Sequence, residues 1–111
     1  MYGHAEGYNT STGKYGHAEG YETYAVNEGA HVEGYYNKVY AKYAHGEGRN
    51  TTVTGDADAG HAEGYYTTVN AAQGHAEGYY TTVNAPYGHA EGYYTVVTQP
   101  AYGSHAEGYQ S

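Results

Sequence analysis

A histidine and a glutamate two residues apart recur along the whole chain, from His4 and Glu6 to His105 and Glu107. On a β-strand, residues i and i+2 share a face, so stacked copies of this pair form a lattice of imidazoles and carboxylates. Those two groups can bind divalent metal, because nitrogen and oxygen donors of this kind suit zinc and its neighbours. The candidate ligands are His61, Glu63, His75 and Glu77. The same lattice can instead be a structural ladder of His–Glu hydrogen bonds, within one chain or across an oligomer contact. Repetition favours structure. General acid–base catalysis needs one asymmetric site with tuned pKa values, and many equivalent metal sites are an odd way to build one function. The chain therefore reads as non-enzymatic, without catalytic residues and with no cofactor. Its assembly or ladder residues are His61, Glu63, Tyr65, His75, Glu77, Tyr79, His89, Glu91 and Tyr93.

Tyrosine supplies the second set of candidates. The pairs Tyr35-Tyr36, Tyr65-Tyr66, Tyr79-Tyr80 and Tyr93-Tyr94 are expected to send one ring to each side of a strand. The first ring of each pair then covers a thin protein wall, adding apolar area. The second, at Tyr66, Tyr80 and Tyr94, forms an amphipathic row able to bind sugars or cell surfaces. A flat row of Thr could bind ice, but the outward Thr column is interrupted by Tyr24, Lys38 and Val96. Gly55-Asp56-Ala57-Asp58 is a single acidic turn with no second carboxylate cluster, so it reads as solvated rather than as a calcium loop.

These side chains need a scaffold that repeats as they do. The histidines are separated by 13, 14, 14, 16, 14, 14 and 16 residues. A Gly-rich, β-branched unit of about 14 residues is too short for two packed helices. It suits one rung of an all-β parallel solenoid: two short strands and two turns. Strand one is expected over His-Ala-Glu, ended by Gly, and strand two over Tyr-Thr-Thr-Val-Asn. Rungs spaced by about 4.8 Å make a rod roughly 40 Å long. The chain reads as one domain, 1–111, with looser rungs over 1–59 and regular ones over 60–111.

Differences among the eight copies map exposure. The column of Thr52, Thr68 and Thr82 also holds Ser11, Tyr24, Lys38 and Val96, whereas the columns of Thr67 and Val69 on either side keep their character. Strand parity then turns Thr67 and Val69 inward and Thr68 outward. The extra residues in Thr54–Ala59 and around Gln99-Pro100-Ala101-Tyr102 fall at one corner, which marks it as solvent-facing. Tyr follows the Gly in seven rungs and Arg49 in the fourth, a residue able to stack on tyrosine rings.

Composition narrows the partners. There is no Leu, Ile, Phe, Trp or Cys, and Val occurs eight times against eighteen Tyr. Burying a Val is worth roughly 1.5–3 kcal/mol, while ordering a residue costs about 1–2 kcal/mol of backbone entropy. Tyrosine, a dense backbone hydrogen-bond ladder or association must make up the difference. Net charge is −8, from 4 Lys+Arg and 12 Asp+Glu, which leaves no basic patch for nucleic acid. No apolar run approaches the roughly 18 residues of a membrane span, and no signal-peptide pattern precedes the first repeat. Both ends fall inside a repeat, the pattern of a fragment or of a unit that stacks head-to-tail.

SHAEG at 104–108 and GHAEG in five other rungs resemble the head repeats of trimeric autotransporter adhesins, the YadA-like heads, and related SHAEG repeats of phage tail and prophage proteins. The shared frame, a small residue, x, Ala, x and Gly about every 14 residues, covers the whole chain. The resemblance implies a left-handed β-roll, a homotrimer, and a structural or adhesive role in a phage fibre, virion or extracellular surface appendage. Its partners would be copies of itself and cell-surface glycan.

Overall fold

The computed structural model describes residues 3–98 and 102–110. Fifteen strands follow one another: β1 (His4–Tyr8), β2 (Ser11–Thr12), β3 (His17–Tyr21), β4 (Tyr24–Ala25), β5 (His31–Tyr35), β6 (Lys38–Val39), β7 (His45–Arg49), β8 (Thr52–Val53), β9 (His61–Tyr65), β10 (Thr68–Val69), β11 (His75–Tyr79), β12 (Thr82–Val83), β13 (His89–Tyr93), β14 (Val96–Val97) and β15 (His105–Tyr109). Odd-numbered strands form an eight-stranded parallel sheet and even-numbered ones a seven-stranded parallel sheet, both in chain order. The chain is a β-solenoid, and the described residues contain no helix. The molecule measures 38 × 21 × 11 Å, the long axis being the direction of stacking.

Register is set by identity. His61 pairs with His75, Ala62 with Ala76, Glu63 with Glu77, Gly64 with Gly78 and Tyr65 with Tyr79. Backbone groups outside the strands also bond from rung to rung: Asn70 N–H donates to the carbonyl of Val83 at 2.8 Å, and Gln73 N–H to that of Asp58 at 2.9 Å. Main-chain polar groups are thus satisfied along the rod, and the space between the two sheets is left to small side chains. Val39, Val53, Val69 and Val83 from the short strands meet Ala62, Ala76 and Ala90 from the long ones, all fully buried. Where Val32 enlarges the Ala column, Gly46 follows in the next rung, and a Cβ there would lie 2.7 Å from Cγ2 of Val39.

Thr67 and Val69 are buried and Thr68 is half-buried, as strand parity requires. The inward Thr column carries a penalty, because the hydroxyls of Thr23, Thr51, Thr67, Thr81 and Thr95 are buried without a hydrogen-bond partner. A buried unsatisfied polar group costs about 1–3 kcal/mol. Asn37 shows the satisfied alternative in the same column. Its amide donates to the carbonyls of Glu33 (2.6 Å) and Gly48 (2.8 Å) and accepts from Thr51 N–H (2.9 Å).

Strand lengths differ from those expected. The long strand does not stop at Glu63 but runs through Gly64 to Tyr65, and the second strand is only Thr68–Val69. Gly64 continues the ladder at φ +117, a region open to glycine and strained for L-residues, and a Cβ there would collide with the carbonyl oxygen of Gly78. The chain then turns at Tyr66 (φ 55), and turns again at Gln73 (φ 55). Left-handed backbone is unfavourable for non-glycine residues. It is held at Tyr66 by the N–H bond to the carbonyl of Arg49, 3.0 Å. In the fourth rung, Gly55 and Asp56 occupy an added turn closed by Ala57 N–H donating to the Thr54 carbonyl at 3.0 Å. Ala57 keeps the buried corner place that Ala71 and Ala85 fill elsewhere. The second expected excess falls on Gln99, Pro100 and Ala101, which lie outside the described residues.

Gly78 and Gly55 make a matched test. Gly78 sits at φ +118 against the Gly92 backbone, while nothing lies within 4 Å of a Cβ added at Gly55. Gly78→Ala is expected to destabilise by at least about 2 kcal/mol in denaturant titrations, and Gly55→Ala by less than about 0.5 kcal/mol. Similar midpoints for the two variants would contradict this account of the invariant Gly column.

Candidate functional site: three ladders on the long sheet

Because the long strand extends to Tyr65, parity places His61, Glu63 and Tyr65 together on its outer face. Every rung repeats the triplet in register, with Arg49 in place of Tyr once. The result is three parallel columns, partly open to solvent along the central rungs.

The histidine rings stack face to face over all eight rungs, with centroids 4.6–5.0 Å apart and planes within 19°. The expected His–Glu hydrogen bond is not made. His61 Nε2 lies 3.7 Å from Glu63 Oε1, and other rungs give 3.6–4.0 Å, beyond hydrogen-bond length. Nε2 of His31, His45, His61, His75 and His89 is shielded from solvent and has no hydrogen-bond partner. Burial, then the neighbouring imidazoles His75 and His45, holds His61 below the usual histidine range. Burial does the same at His31 and His75, with adjacent imidazoles adding to it.

The carboxyls lie over their own copies. Glu63 sits in register between Glu77 and Glu47, one rung to either side, and hydrogen bonding with these carboxyls, followed by burial, pushes its pKa up to about 7. Such a bond between carboxyls needs a proton on one member of the pair. Glu33 and Glu91 are raised like Glu63, and Glu47, Glu77 and Glu107 beside them are lowered, hydrogen bonding to the neighbouring carboxyls being the first cause in each. The column of facing carboxyls was missed in the sequence. Identical glutamates in register about 4.8 Å apart were the signal for it.

Tyr65, Tyr79 and Tyr93 form the third column, with centroids 5.0 Å apart and planes within 7°. Arg49 fills the one missing ring, its guanidinium carbon 5.3 Å from the Tyr35 centroid and 5.5 Å from that of Tyr65. This is the stacking expected of arginine at that position. The second tyrosines were misplaced by the sequence reading. Tyr66 does not project to the opposite side of a strand: its left-handed corner lays its ring edge-on against Tyr65, 4.8 Å away at 71°. Tyr80 and Tyr94 repeat this against Tyr79 and Tyr93. Tyr66, Tyr80 and Tyr94 also stack on one another at 4.8 and 5.0 Å, and all three are exposed. Asn50 interrupts this outer row, leaving a shallow groove lined by Tyr36, Lys38, Asn50, Thr52, Tyr66 and Thr68.

Asp56 and Asp58 are exposed, and Asp58 Oδ1 accepts the Lys42 N–H at 3.3 Å. The clusters of potential metal donors among the described residues all lie in the His/Glu columns, not at this turn. No family model matches the chain, and no curated protein matches it. Its own columns carry the functional reading.

Glu63 gives a pH test. A carboxyl whose folded pKa is raised from 4.5 to about 7 contributes its stabilisation fully below about 4.5 and loses it as pH rises through about 7. Gln cannot ionise and still donates a hydrogen bond. Glu63→Gln should melt close to the parent at about pH 5 and above it at about pH 8. A difference in melting temperature that does not change between those two pH values would contradict a raised Glu63 carboxyl.

Proposed function

We propose that the chain is a non-enzymatic structural segment, a stiff rod in a phage fibre or surface appendage outside the cell, that associates with copies of itself. The observation that carries this reading is the repeated outer face: three columns run through eight rungs, and the one departure, Arg49 for Tyr, is itself stacked between two rings rather than set apart as a reaction centre must be. A rod of this kind offers length, stiffness and a repeated surface.

The thin core does not itself call for partner chains. Val39, Val53, Val69 and Val83 are fully buried within one chain. The accessible surface of 5610 Å² is close to the roughly 5,900 Å² of an ordinary monomer of this mass. The drive for association comes from outside the coil, where Tyr35, Tyr66, Tyr79, Tyr80, Tyr93 and Tyr94 are exposed. Tyrosine is favoured at interfaces because it gives large area with a polar tip. A threefold assembly, as the resemblance to YadA-like heads implies, needs two contacts per chain of about 800 Å² each, well within the available surface. At the ends, β1 and β15 carry the same pentapeptide, HAEGY. A rung with the same pentapeptide, placed in register on either end, would continue all three ladders.

Sedimentation equilibrium at micromolar concentration is expected to give three times the 11.9 kDa chain mass. A folded species that stays at the mass of one chain across the concentration range would remove the trimer and the self-associating rod with it.

A further inference from the structure

We propose that the His/Glu face takes up divalent transition-metal ions of the zinc class, each held by two imidazoles from consecutive rungs and one carboxylate between them. This goes beyond the structural role and does not depend on it. Four donor sets are already assembled: His45–Glu47–His61, His61–Glu63–His75, His75–Glu77–His89 and His89–Glu91–His105, each with one donor atom per residue and all within 4.8 Å of one another. Two nitrogens and a carboxylate oxygen match zinc's preferred donors and leave a fourth tetrahedral position for water. Independently, Nε2 of His45, His61, His75 and His89 is shielded and bonds to nothing. An unprotonated Nε2 in that position is a lone pair without a use.

The stacked rings are parallel, which sets their nitrogens side by side. Tetrahedral zinc with bonds of about 2.0–2.1 Å draws its donors to roughly 3.3 Å from one another, so one ring of each pair must rotate about its Cβ–Cγ bond. The His61 and Glu63 side chains are each 33% exposed, which leaves room for that motion.

The sharing of histidines between sets fixes the stoichiometry. Each Nε2 has one lone pair and serves one ion, so sets that share a histidine exclude each other. The four sets form a chain linked by His61, His75 and His89, and at most two can fill at once. Substitutions then act by position along this chain. Removing His75 deletes the two middle sets and leaves the outer two, which share nothing, so two ions still bind. Removing His61 or His89 leaves two sets that share a histidine, so one ion binds.

Isothermal titration with zinc chloride near pH 7.5, where imidazole is mostly neutral, reads this directly on the full chain. The expected result is two ions for the parent and for His75→Gln, and one for His61→Gln and His89→Gln. All three variants remove one ring from the same stack, so His75→Gln controls for damage to the ladder. Circular dichroism of each variant checks that the β-structure is retained. No saturable uptake by the parent, four ions per chain, or the same loss in all three variants would overturn the proposal.

Discussion

Each strand residue of this solenoid lies over its counterpart in the next rung, most often the same residue type on the long sheet, and that in-register stacking is the constraint on which the rest of the structure depends. Two sheets of parallel strands hold neighbouring rungs together, and the corners bond to adjacent rungs as well. With its backbone satisfied along the rod, the chain needs only a narrow seam of Val, Ala and Thr between the sheets. A molecule 11 Å across its thinnest axis can therefore be built without Leu, Ile or Phe. The same constraint fixes the Gly64 column, because a continuous ladder at φ near +117 brings successive glycine backbones too close for any Cβ.

On the outer face, stacking turns like residues into neighbours. Like charges so placed repel, and the side chains answer this according to their chemistry. Histidines stack, and burial disfavours the charged form at His31, His61 and His75. Glutamates face one another, and at Glu63 the neighbouring carboxyls favour the protonated form. Tyrosines stack without penalty, and the single arginine among them lies between two rings. One Glu from each of eight rungs, out of 12 Asp+Glu in the chain, is drawn into this column. Much of the formal negative charge is thus concentrated on a surface able to bind protons or cations in its place.

Much of the fold was legible in the sequence because a repeat can be read against itself. The 14-residue period gave the rungs, and drift among copies placed Thr67 and Val69 inside and Thr68 outside. The strand boundaries were not legible. Glycine ordinarily reads as a strand end, yet Gly64 continues the ladder because only glycine adopts its φ. Tyr66 was set on the wrong side because tyrosine rarely takes a left-handed backbone. Nothing in its side chain announces a corner, whereas Asn9 and Asn50 in the same column are residues that favour one. Pairing along a rung suggested His61 with Glu63. The two come to 3.7 Å without reaching hydrogen-bond length, and the contact that repeats along the rod is with their own copies, His75 stacked on His61 and Glu77 in register with Glu63.

If stability resides in the contacts between rungs, protection must depend on how many rungs lie on either side. Native-state amide hydrogen exchange tests this at equivalent positions. Ser11 N–H donates to the Thr23 carbonyl at 3.1 Å and Thr68 N–H to that of Thr81 at 2.9 Å, so the two make the same bond in an outer and a central rung. Stacking predicts that Ser11 exchanges well before Thr68, with Tyr24, Lys38 and Thr52 graded between them. Equal protection at Ser11 and Thr68, or a central rung that opens before the outer ones, would contradict it.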